Sequence, residues 1–373
     1  MKIGIDMRMY GGGSGIARYI KELSLAILEQ DKTNEYVLFL YKIDDSIKNQ
    51  FSRFKVKLVE TNAKHYSIRE QTTFVRQLYK EKLDLVHFPH FNVPFFYRKP
   101  FVVTIHDLIH QRYPGRNKSR IFHRAAFRMI FSHAVKASKA IIAVSNFTKK
   151  EILEFYPEVS KKVFVVYEAA TGNLKIYEYT QAQNYVNKKF NVNSKYFLYV
   201  GVYRRYKNLS VLAKAFDLFC AKNFGFKLVL AGEPDPFYPE IQQEIRKINN
   251  RDRLIEVGKV NDEDLSHLYS AATAFILPSK TEGFGLILLE AAKYKLPIIA
   301  SDIDVIKEVM GDSVIYFNLN SPNDLAEKMY SIADNPKINK LYAQKSDDRR
   351  KTYSWTKAGE ETLNIYRQIL NKL

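Results

Sequence analysis

Two glutamates, Glu282 and Glu290, flank a pair of glycines where a short apolar run gives way to helical spacing. Residues 274–279 are typical of a buried strand, and the helical pattern begins after Gly285. Glu282 then lies at the carboxyl end of a strand, where open α/β sheets bind ligands. Glu290 lies one turn into the helix. The amides of a helix start suit an anion or a sugar hydroxyl. Here they belong to Phe284, Gly285 and Leu286. The structural alternative is that Glu282 only caps the helix and Glu290 is solvated.

A basic turn follows another predicted strand and places Arg204, Arg205 and Lys207 next to a predicted helix start. Arginine offers a planar fork to phosphate oxygens, and lysine offers a compact point charge. Because the turn leaves the carboxyl end of a strand, the pattern favours phosphate binding over a turn that is merely solvated.

His106 ends a further apolar strand and is followed directly by Asp107. Neighbouring side chains at a strand end point apart, so the two residues do not suit a general-base dyad. We expect His106 to hydrogen-bond a substrate hydroxyl and Asp107 to cap the next turn. The histidines lack a metal-binding spacing such as H-E-x-x-H, and Cys220 is the single cysteine, so no metal site is predicted.

A glycine-rich loop separates the first predicted strand from the first predicted helix. Gly12 and Gly13 in this loop are candidates for close approach of a phosphate or a sugar. The loop departs from the dinucleotide pattern G-x-G-x-x-G because Ile16 takes the place of the last glycine. A nicotinamide-dependent dehydrogenase is therefore disfavoured, and a simple tight turn remains the structural alternative.

The net charge of +18 is concentrated in one region of the chain. Residues 51–150 hold 20 Lys and Arg against 5 Asp and Glu. Within this region four arginines recur every fourth residue, which forms a basic stripe on a helix beside a broad apolar face. They are Arg116, Arg120, Arg124 and Arg128. The stripe predicts contact with an anionic membrane surface or an acceptor, whereas solvated arginines on an ordinary surface helix are the alternative.

Predicted strands alternate with helical patterns along the whole chain, which is typical of mostly parallel sheets. The predicted strands lie at residues 2–7, 37–41, 56–59, 83–88, 101–105, 140–144, 163–167, 196–200, 227–231, 254–257, 274–277, 297–300 and 314–317. The length of 373 residues is more than one core usually spans, so two domains are expected. Their predicted bounds are 1–171 and 195–353, with a linker at 172–194 and a final helix at 354–373.

The apolar stretches are too short for a membrane span, which needs roughly 20 residues. The N-terminus has the pattern of a strand with charges close by and not that of a signal peptide. We therefore expect a cytoplasmic protein, peripheral on the inner face of the cytoplasmic membrane where its basic region meets anionic lipid.

These motifs together resemble glycosyltransferase family 4, a group of retaining enzymes, over essentially the whole chain. The resemblance rests on five features in the expected order: the Gly12-Gly13 loop, His106-Asp107, the turn from Gly201 to Asn208, the Glu282 to Glu290 motif and the late Trp355 helix. It implies the GT-B fold, in which two Rossmann-like, doubly wound α/β domains face each other across an interdomain cleft. The first domain would bind the acceptor and the second a nucleotide-sugar donor.

The resemblance also implies roles for the matching residues of the second domain. Glu290 would hold the nucleotide ribose, Glu282 would face the donor sugar, and Lys207 would bind the diphosphate together with an arginine. The amides of the helix start would lie near the sugar and the phosphate; they are those of Phe284, Gly285 and Leu286. Relatives carry that arginine at positions that are Val202 or Tyr206 here. Arg204 and Arg205 therefore both stay open, and Arg205 is the choice for catalysis.

In the first domain, the resemblance implies that the Gly13 amide approaches the β-phosphate and that His106 touches the sugar. Catalysis would consist of positioning and of positive charge on the departing diphosphate, without a protein nucleophile, a metal or a cofactor. The nucleotide-sugar is a substrate.

The segments 89–94 and 104–110 resemble bacterial mannosyltransferases of this group, which makes GDP-mannose the expected donor. The same frame accepts UDP- and dTDP-sugars, so glucosyl, N-acetylglucosaminyl and rhamnosyl transfer stay open. The expected acceptor is a glycan or lipid-linked glycan.

Proteins of other classes fit less well. A phosphorylase would need a longer chain and a pyridoxal lysine. A nucleic-acid-binding protein would use residues 51–150, which contain no named nucleic-acid module, so no specific nucleic acid is expected as a partner.

Overall fold

The structure is a computed structural model that describes most of the chain. The described residues are 1–11, 15–112, 121–171, 174–222 and 225–372, and of residues 121–126 only the backbone is described. The chain divides into two compact units. Unit 1 comprises Met1–Ala169 and Ser354–Leu373, and unit 2 comprises Ala170–Tyr353.

Unit 1 is built on a parallel sheet of seven short strands, most of which are buried. They are β1 (Lys2–Asp6), β2 (Glu35–Leu40), β3 (Val56–Glu60), β4 (Leu85–Phe88), β5 (Phe101–Ile105), β6 (Ala140–Ala143) and β7 (Val163–Val165). Their order in the sheet is β3-β2-β1-β4-β5-β6-β7. Ile5 of β1 pairs with Leu38 of β2 on one side and with His87 of β4 on the other. The order reverses between β1 and β4, which is where open α/β sheets bind ligands beyond the carboxyl ends of their strands.

Helical segments connect most of these strands. They are α1 (Gly15–Gln30), α2 (Asp45–Phe51), α3 (Val75–Lys80), α4 (Ile109–Arg112), α5 (Ile121–Ala137) and α6 (Asn146–Phe155). A π-helical turn, Glu70–Phe74, runs directly into α3. Ser145 caps α6 by accepting a hydrogen bond from the Thr148 amide at 2.9 Å.

Unit 2 repeats the design with six parallel strands. They are β8 (Lys195–Val200), β9 (Phe226–Ala231), β10 (Leu254–Gly258), β11 (Ala274–Leu277), β12 (Ile298–Ser301) and β13 (Ile315–Phe317). Their order is β10-β9-β8-β11-β12-β13, so the reversal falls between β8 and β11. All thirteen strands coincide with strands predicted from hydrophobic runs, and the α/β class with two doubly wound sheets is confirmed.

The helices of unit 2 are α7 (Tyr179–Phe190), α8 (Leu209–Cys220), α9 (Pro239–Arg246), α10 (Asp262–Ala271), α11 (Leu286–Lys293), α12 (Asp304–Met310), α13 (Pro322–Asp334) and α14 (Pro336–Arg350). Two glycines let the loops after β8 and β9 approach each other closely. Both Gly201 and Gly232 have φ of +150°, and a Cβ at Gly232 would lie 2.0 Å from the Gly201 carbonyl oxygen. Glycine is therefore required there.

The expectation of a linker at residues 172–194 needs correction. The chain joins unit 2 at Ala170, and the segment contains helix α7. The helix buries only Ala182 and Val186, four residues apart, and such a sparse apolar stripe among polar and aromatic residues gives a weak periodic signal. The helix packs on α10, where the ring of His267 is stacked 3.9 Å from that of Tyr185.

The last helix, α15 (Trp355–Leu370), belongs to unit 1 and packs along α1. Gly359 permits the close contact, because a Cβ there would lie 3.0 Å from the Cβ of Ala26. The side chain of Gln30 donates to the carbonyl of Thr356 at 2.9 Å. The helix begins at the cap residue Ser354, which accepts from the amide of Lys357.

Candidate functional site

Lys207 and Glu282 form an ion pair at the reversal point of the unit 2 sheet. Lys207 follows β8 and Glu282 follows β11, and the two strands are neighbours. The Lys207 ammonium donates to Glu282 Oε1 at 2.6 Å, and the two side chains are only 16% and 11% exposed. A backbone hydrogen bond of 2.7 Å from the Lys280 amide to the Tyr206 carbonyl ties the two loops together. The structure thus brings together two residues that the sequence singled out separately.

Helix α11 begins beyond Glu282 without a side-chain cap. Its N-cap is Gly285, which has a left-handed backbone with φ of +85°. Glu282 therefore does not cap the helix, and the capping alternative is wrong. The first amides of any helix lack partners within that helix, so the start of α11 directs donors toward the edge where Glu282 lies. Phe284 is buried, and its ring meets that of Tyr353 edge to face at 5.6 Å.

Glu290 is buried inside α11, with an exposure of 2%, and is not a solvated surface residue. Its Oε1 accepts a hydrogen bond from the Thr171 hydroxyl at 3.2 Å. One turn further on, the Lys293 ammonium donates to the carbonyls of Thr171 and Leu174 at 3.2 and 2.8 Å. Thr171 was not predicted from the sequence. Its position beyond β7 places it at the start of unit 2, where it holds the carboxylate of Glu290.

The two arginines of the basic turn bind different carboxylates. Arg204 donates through Nε to Asp235 at 3.0 Å, and Arg205 donates to Glu240 on α9 at 2.9–3.0 Å. Burial opposes the charge of Arg204, but Tyr206 and Asp235 outweigh it and raise the pKa of this guanidinium. Arg205 is 56% exposed. Arg204 is thus the more enclosed of the two, although Arg205 was the choice from sequence.

A buried ionic network lies beyond β1 in unit 1, and the sequence did not predict it. The guanidinium of Arg8, fully buried, donates to Asp6 at 2.8 and 2.9 Å and to Glu70 at 2.8 Å. Asn92 donates to the same Glu70 oxygen at 2.6 Å. Burial raises the pKa of Asp6, but Arg8 outweighs burial and the net pKa is lowered; for Glu70 burial outweighs Arg8 and the pKa is raised. In the sequence, the signal that could have indicated this network is the alternation of Asp6 and Arg8 at the end of a strand.

His106 follows β5 and makes two hydrogen bonds through its ring. Its Nδ1 lies 3.0 Å from Glu168 Oε1, and its Nε2 lies 2.9 Å from the carbonyl oxygen of Pro89. The rings of Tyr19 and His106 form a T-shaped contact with their centroids 4.6 Å apart. Asp107 accepts from the amide of Ile109 at 2.9 Å, so its predicted capping role is confirmed. Glu168, beyond the end of β7, is a partner that sequence reasoning missed.

A hydrogen-bonded chain of side chains adjoins His106. His87 contacts the Tyr366 hydroxyl of α15 at 2.6 Å and the Thr104 hydroxyl at 2.8 Å, and Thr104 also meets the Tyr19 hydroxyl at 3.0 Å. Burial, followed by the charge of His106, lowers the pKa of His87 to about 3. His87 is therefore neutral at physiological pH, and the chain fixes α15 and α1 against the strands that carry His106.

Several predicted residues lie outside the described parts of the chain: Gly12, Gly13, Arg116 and Arg120. The side chain of Arg124 is not described either, and Arg128 is exposed on α5. In the described parts, no group of three or more His, Cys, Asp and Glu is arranged to hold a metal ion. Likewise, no described helix has the length and apolar character to cross a membrane.

Basic residues of unit 1 also surround a groove of about 230 Å³ at the amino ends of β6 and β7. They are Lys139, Lys161, Lys162 and Lys372. Burial and the nearby charge of Lys139 lower the pKa of Lys162 to about 8. The groove lies at the opposite end of the strands from His106, so it is separate from the edge that carries the predicted site.

Comparison with known proteins gives two family matches that follow each other along the chain. Residues 13–169 match the family described as Glycosyltransferase Family 4, and residues 181–350 match Glycosyl transferases group 1. The O-antigen chain mannosyltransferase B of Escherichia coli is 23% identical over 293 residues, which cover 76% of this chain and 74% of that protein. The O-antigen chain mannosyltransferase RfbU of Salmonella typhimurium is 27% identical over 216 residues, which cover 58% of this chain and 56% of that protein.

Among solved structures, sucrose-phosphate synthase from Thermosynechococcus elongatus superimposes over 100% of both chains with a TM-score of 0.77 at 20% sequence identity. This likeness shows the fold. Together with the two family matches and the strand orders, it identifies the chain as a member of the family 4 glycosyltransferases of GT-B fold that resembles bacterial mannosyltransferases.

Proposed function

We propose that this glycosyltransferase transfers mannose from GDP-mannose to a hydroxyl of a glycan or lipid-linked glycan, with retention of the anomeric configuration. The observation that carries the proposal is the Lys207–Glu282 pair at the reversal point of the unit 2 sheet, with Glu290 buried on the helix that follows. Such a point is where α/β sheets bind nucleotides. The likeness to two O-antigen mannosyltransferases supports mannose as the sugar.

The chemistry that this edge supplies is stabilisation of a departing diphosphate. Lys207 is partly enclosed, and a cation in such a place stabilises developing negative charge more strongly than it would in water. Arg204, next to it in the same turn, adds a second cation with a raised pKa. With these charges in place the proposed reaction requires no metal and no further cofactor. A phosphate oxygen of the leaving group accepts the proton of the acceptor hydroxyl.

The two glutamates have separate roles in this proposal. Glu290 accepts hydrogen bonds from the ribose hydroxyls, which suits a carboxylate that already accepts a bond from the Thr171 hydroxyl. Glu282 binds hydroxyls of the sugar once the diphosphate has taken over the ammonium of Lys207. Neither glutamate acts as a covalent nucleophile.

Unit 1 is proposed to serve the acceptor. The excess of basic residues between positions 51 and 150 favours an anionic partner, and a lipid-linked glycan at the inner face of the cytoplasmic membrane meets this condition.

Charge reversal at Arg124 and Arg128 is expected to weaken binding to anionic liposomes in a salt-dependent way, measured by co-sedimentation. Unchanged liposome binding would remove the membrane contact of these arginines from the proposal. Strong gel shifts of nucleic acid by a protein that binds no nucleotide-sugar would favour the alternative of a basic nucleic-acid-binding protein.

The donor is tested by calorimetric titration with GDP-mannose, UDP-glucose, UDP-N-acetylglucosamine and dTDP-rhamnose, combined with an assay of slow donor hydrolysis for each. We expect GDP-mannose to bind most tightly and to be hydrolysed. A clear preference for a UDP- or dTDP-sugar would replace mannosyl transfer by glucosyl, N-acetylglucosaminyl or rhamnosyl transfer on the same residues. The anomeric configuration of the product, measured by NMR coupling constants, tests retention.

A further inference from the structure

The two hydrogen bonds of the His106 ring determine its protonation state. Nδ1 faces a carboxylate oxygen of Glu168, and Nε2 faces the carbonyl oxygen of Pro89. An ionised carboxylate and a carbonyl accept hydrogen bonds and donate none. Both contacts are hydrogen bonds with an ionised carboxylate and a carbonyl only when both ring nitrogens carry a proton, because a neutral imidazole would set a lone pair against one of these oxygens. An imidazolium ring meets this condition.

The groups around the ring favour that charge on His106 alone. Burial opposes a positive charge on His106. The carboxylates of Glu168 and Asp107 and the carbonyl of Pro89 outweigh burial, so the pKa of His106 is raised. Two histidines near this edge behave in the opposite way. Burial, with the charge of His106 added, lowers the pKa of His87 to about 3 and the pKa of His90 well below its usual value. The Tyr19 ring packs against the His106 ring in a T-shaped contact.

This arrangement limits what His106 can do. An imidazolium has no lone pair, so the side chain cannot serve as a general base, and its two N–H groups are already used within unit 1. Its ring can still present a positive charge at the carboxyl end of β5. Such a charge suits a phosphate-bearing substrate, and it is present before the substrate arrives.

We infer that Glu168 is a positioning residue of the enzyme, which together with the Pro89 carbonyl keeps His106 as an oriented imidazolium at neutral pH for a phosphate-bearing substrate. The inference rests on the proposed glycosyl transfer. It replaces the expectation that His106 hydrogen-bonds a sugar hydroxyl through a ring nitrogen. Glu168 acts through His106 and does not itself touch the reacting atoms.

The direct test is an NMR titration of protein labelled with ¹⁵N-histidine, in which the signal of His106 is assigned with the variant His106→Asn. In the wild type we expect both ring nitrogens of His106 to be protonated at pH 7. In Glu168→Gln, which keeps the shape but loses the charge, the ring should titrate lower by about one pH unit or more. The control is Glu35→Gln, since Glu35 is an exposed carboxylate of unit 1. A neutral His106 ring in the wild type at pH 7 would overturn the inference.

The pH profile of kcat/KM supplies the second readout. Activity should fall at high pH as His106 loses its proton, and Glu168→Gln should move this limb to lower pH while activity recovers in mildly acidic buffer. A purely structural role for Glu168 would lower the whole profile and leave the limb in place, which would contradict the inference. Because the NMR titration needs no substrate, it decides the state of His106 even if the transfer reaction proves to be a different one.

Discussion

The polar edges of the two sheets have opposite characters. In unit 1 the cations are held by several partners at once: Arg8 bonds Asp6 and Glu70 with its side chain wholly buried, and His106 uses both ring nitrogens. In unit 2 Lys207, Arg204 and Arg205 each pair with a carboxylate, and their side chains are 16%, 39% and 56% exposed. The point where the strand order reverses therefore carries buried ion pairs with several partners in unit 1 and more exposed ion pairs in unit 2.

This difference separates stability from ligand exchange. A buried ion pair that loses one partner leaves an uncompensated charge in a medium of low polarity, and the fold is destabilised. A pair that keeps some contact with solvent costs less to separate than a fully buried one, and a diphosphate with several anionic oxygens is a suitable competitor for one carboxylate. Substitutions in the Arg8 network of unit 1 should therefore act first on folding, whereas substitutions at Lys207 and Glu290 in unit 2 should act first on donor binding and turnover.

The largest effect is expected for Arg8→Met. The change leaves Asp6 and Glu70 buried without their cation and should destabilise unit 1 by about 3–5 kcal/mol. Trp355 is the single tryptophan of the chain and lies in unit 1, so its fluorescence during urea unfolding reports on this unit. The control is Arg53→Met, which breaks an exposed pair with Glu29 and should cost below about 1 kcal/mol. Equal urea unfolding midpoints for the two variants would show that the Arg8 network stabilises unit 1 no more than an exposed ion pair does.

The next effect concerns turnover. Lys207→Ala removes the enclosed cation that we propose faces the departing diphosphate, and it should lower kcat by about 10²–10³, the usual cost of losing one preorganised donor. Steady-state kinetics with the preferred donor measures it. Lys214→Ala changes an exposed lysine on the neighbouring helix α8 and serves as the control, with activity expected to stay unchanged. The Trp355 unfolding transition should be the same in both variants.

A smaller effect is expected for Glu290→Gln, which keeps an acceptor for Thr171 but loses the charge. Binding of GDP should weaken by about tenfold to a hundredfold, because hydrogen bonds to a charged group contribute about 1.5–3 kcal/mol. Calorimetry with GDP and 2′,3′-dideoxy-GDP on wild type and variant forms a double cycle. If Glu290 binds the ribose, the dideoxy compound binds both proteins alike. A further loss of affinity for it in the variant would assign Glu290 elsewhere.

The smallest effect is expected for Arg205→Ala, because this side chain is more than half exposed and pairs with Glu240 on α9. Turnover should change by less than about threefold, in keeping with the small contribution of exposed ion pairs. Arg204→Ala, its matched neighbour, should reduce turnover by about tenfold or more. A reversed order in steady-state kinetics would restore Arg205 as the diphosphate ligand.

The strands and the unit 2 pair could be predicted from sequence because both leave local signals. Buried parallel strands read as continuous apolar runs, and catalytic residues of open sheets follow such runs directly. Lys207 and Glu282 were found by this rule although they are 75 positions apart. Helix α7 was not predicted because its apolar stripe consists of only two buried residues, Ala182 and Val186.

The unit 1 networks could not be predicted because they depend on pairings between distant segments. Arg8 meets Glu70, which is 62 positions away, and His106 meets Glu168, also 62 positions away. A sequence shows each charge but not its partner, and the partner decides whether a histidine is a base or a fixed cation. Glu168 itself was visible as a carboxylate beyond an apolar strand. The register that directs it to His106 appears only in the folded sheet.

The proposed exchange of Lys207 from Glu282 to a diphosphate is tested by calorimetric titration of GDP into the wild type and Glu282→Gln. GDP carries the diphosphate without the sugar, so only the competition for Lys207 is measured. We expect GDP to bind the wild type and to bind Glu282→Gln about three- to tenfold more tightly, because a competing charge has been removed. Weaker binding to the variant, or no binding of GDP to either protein, would contradict it.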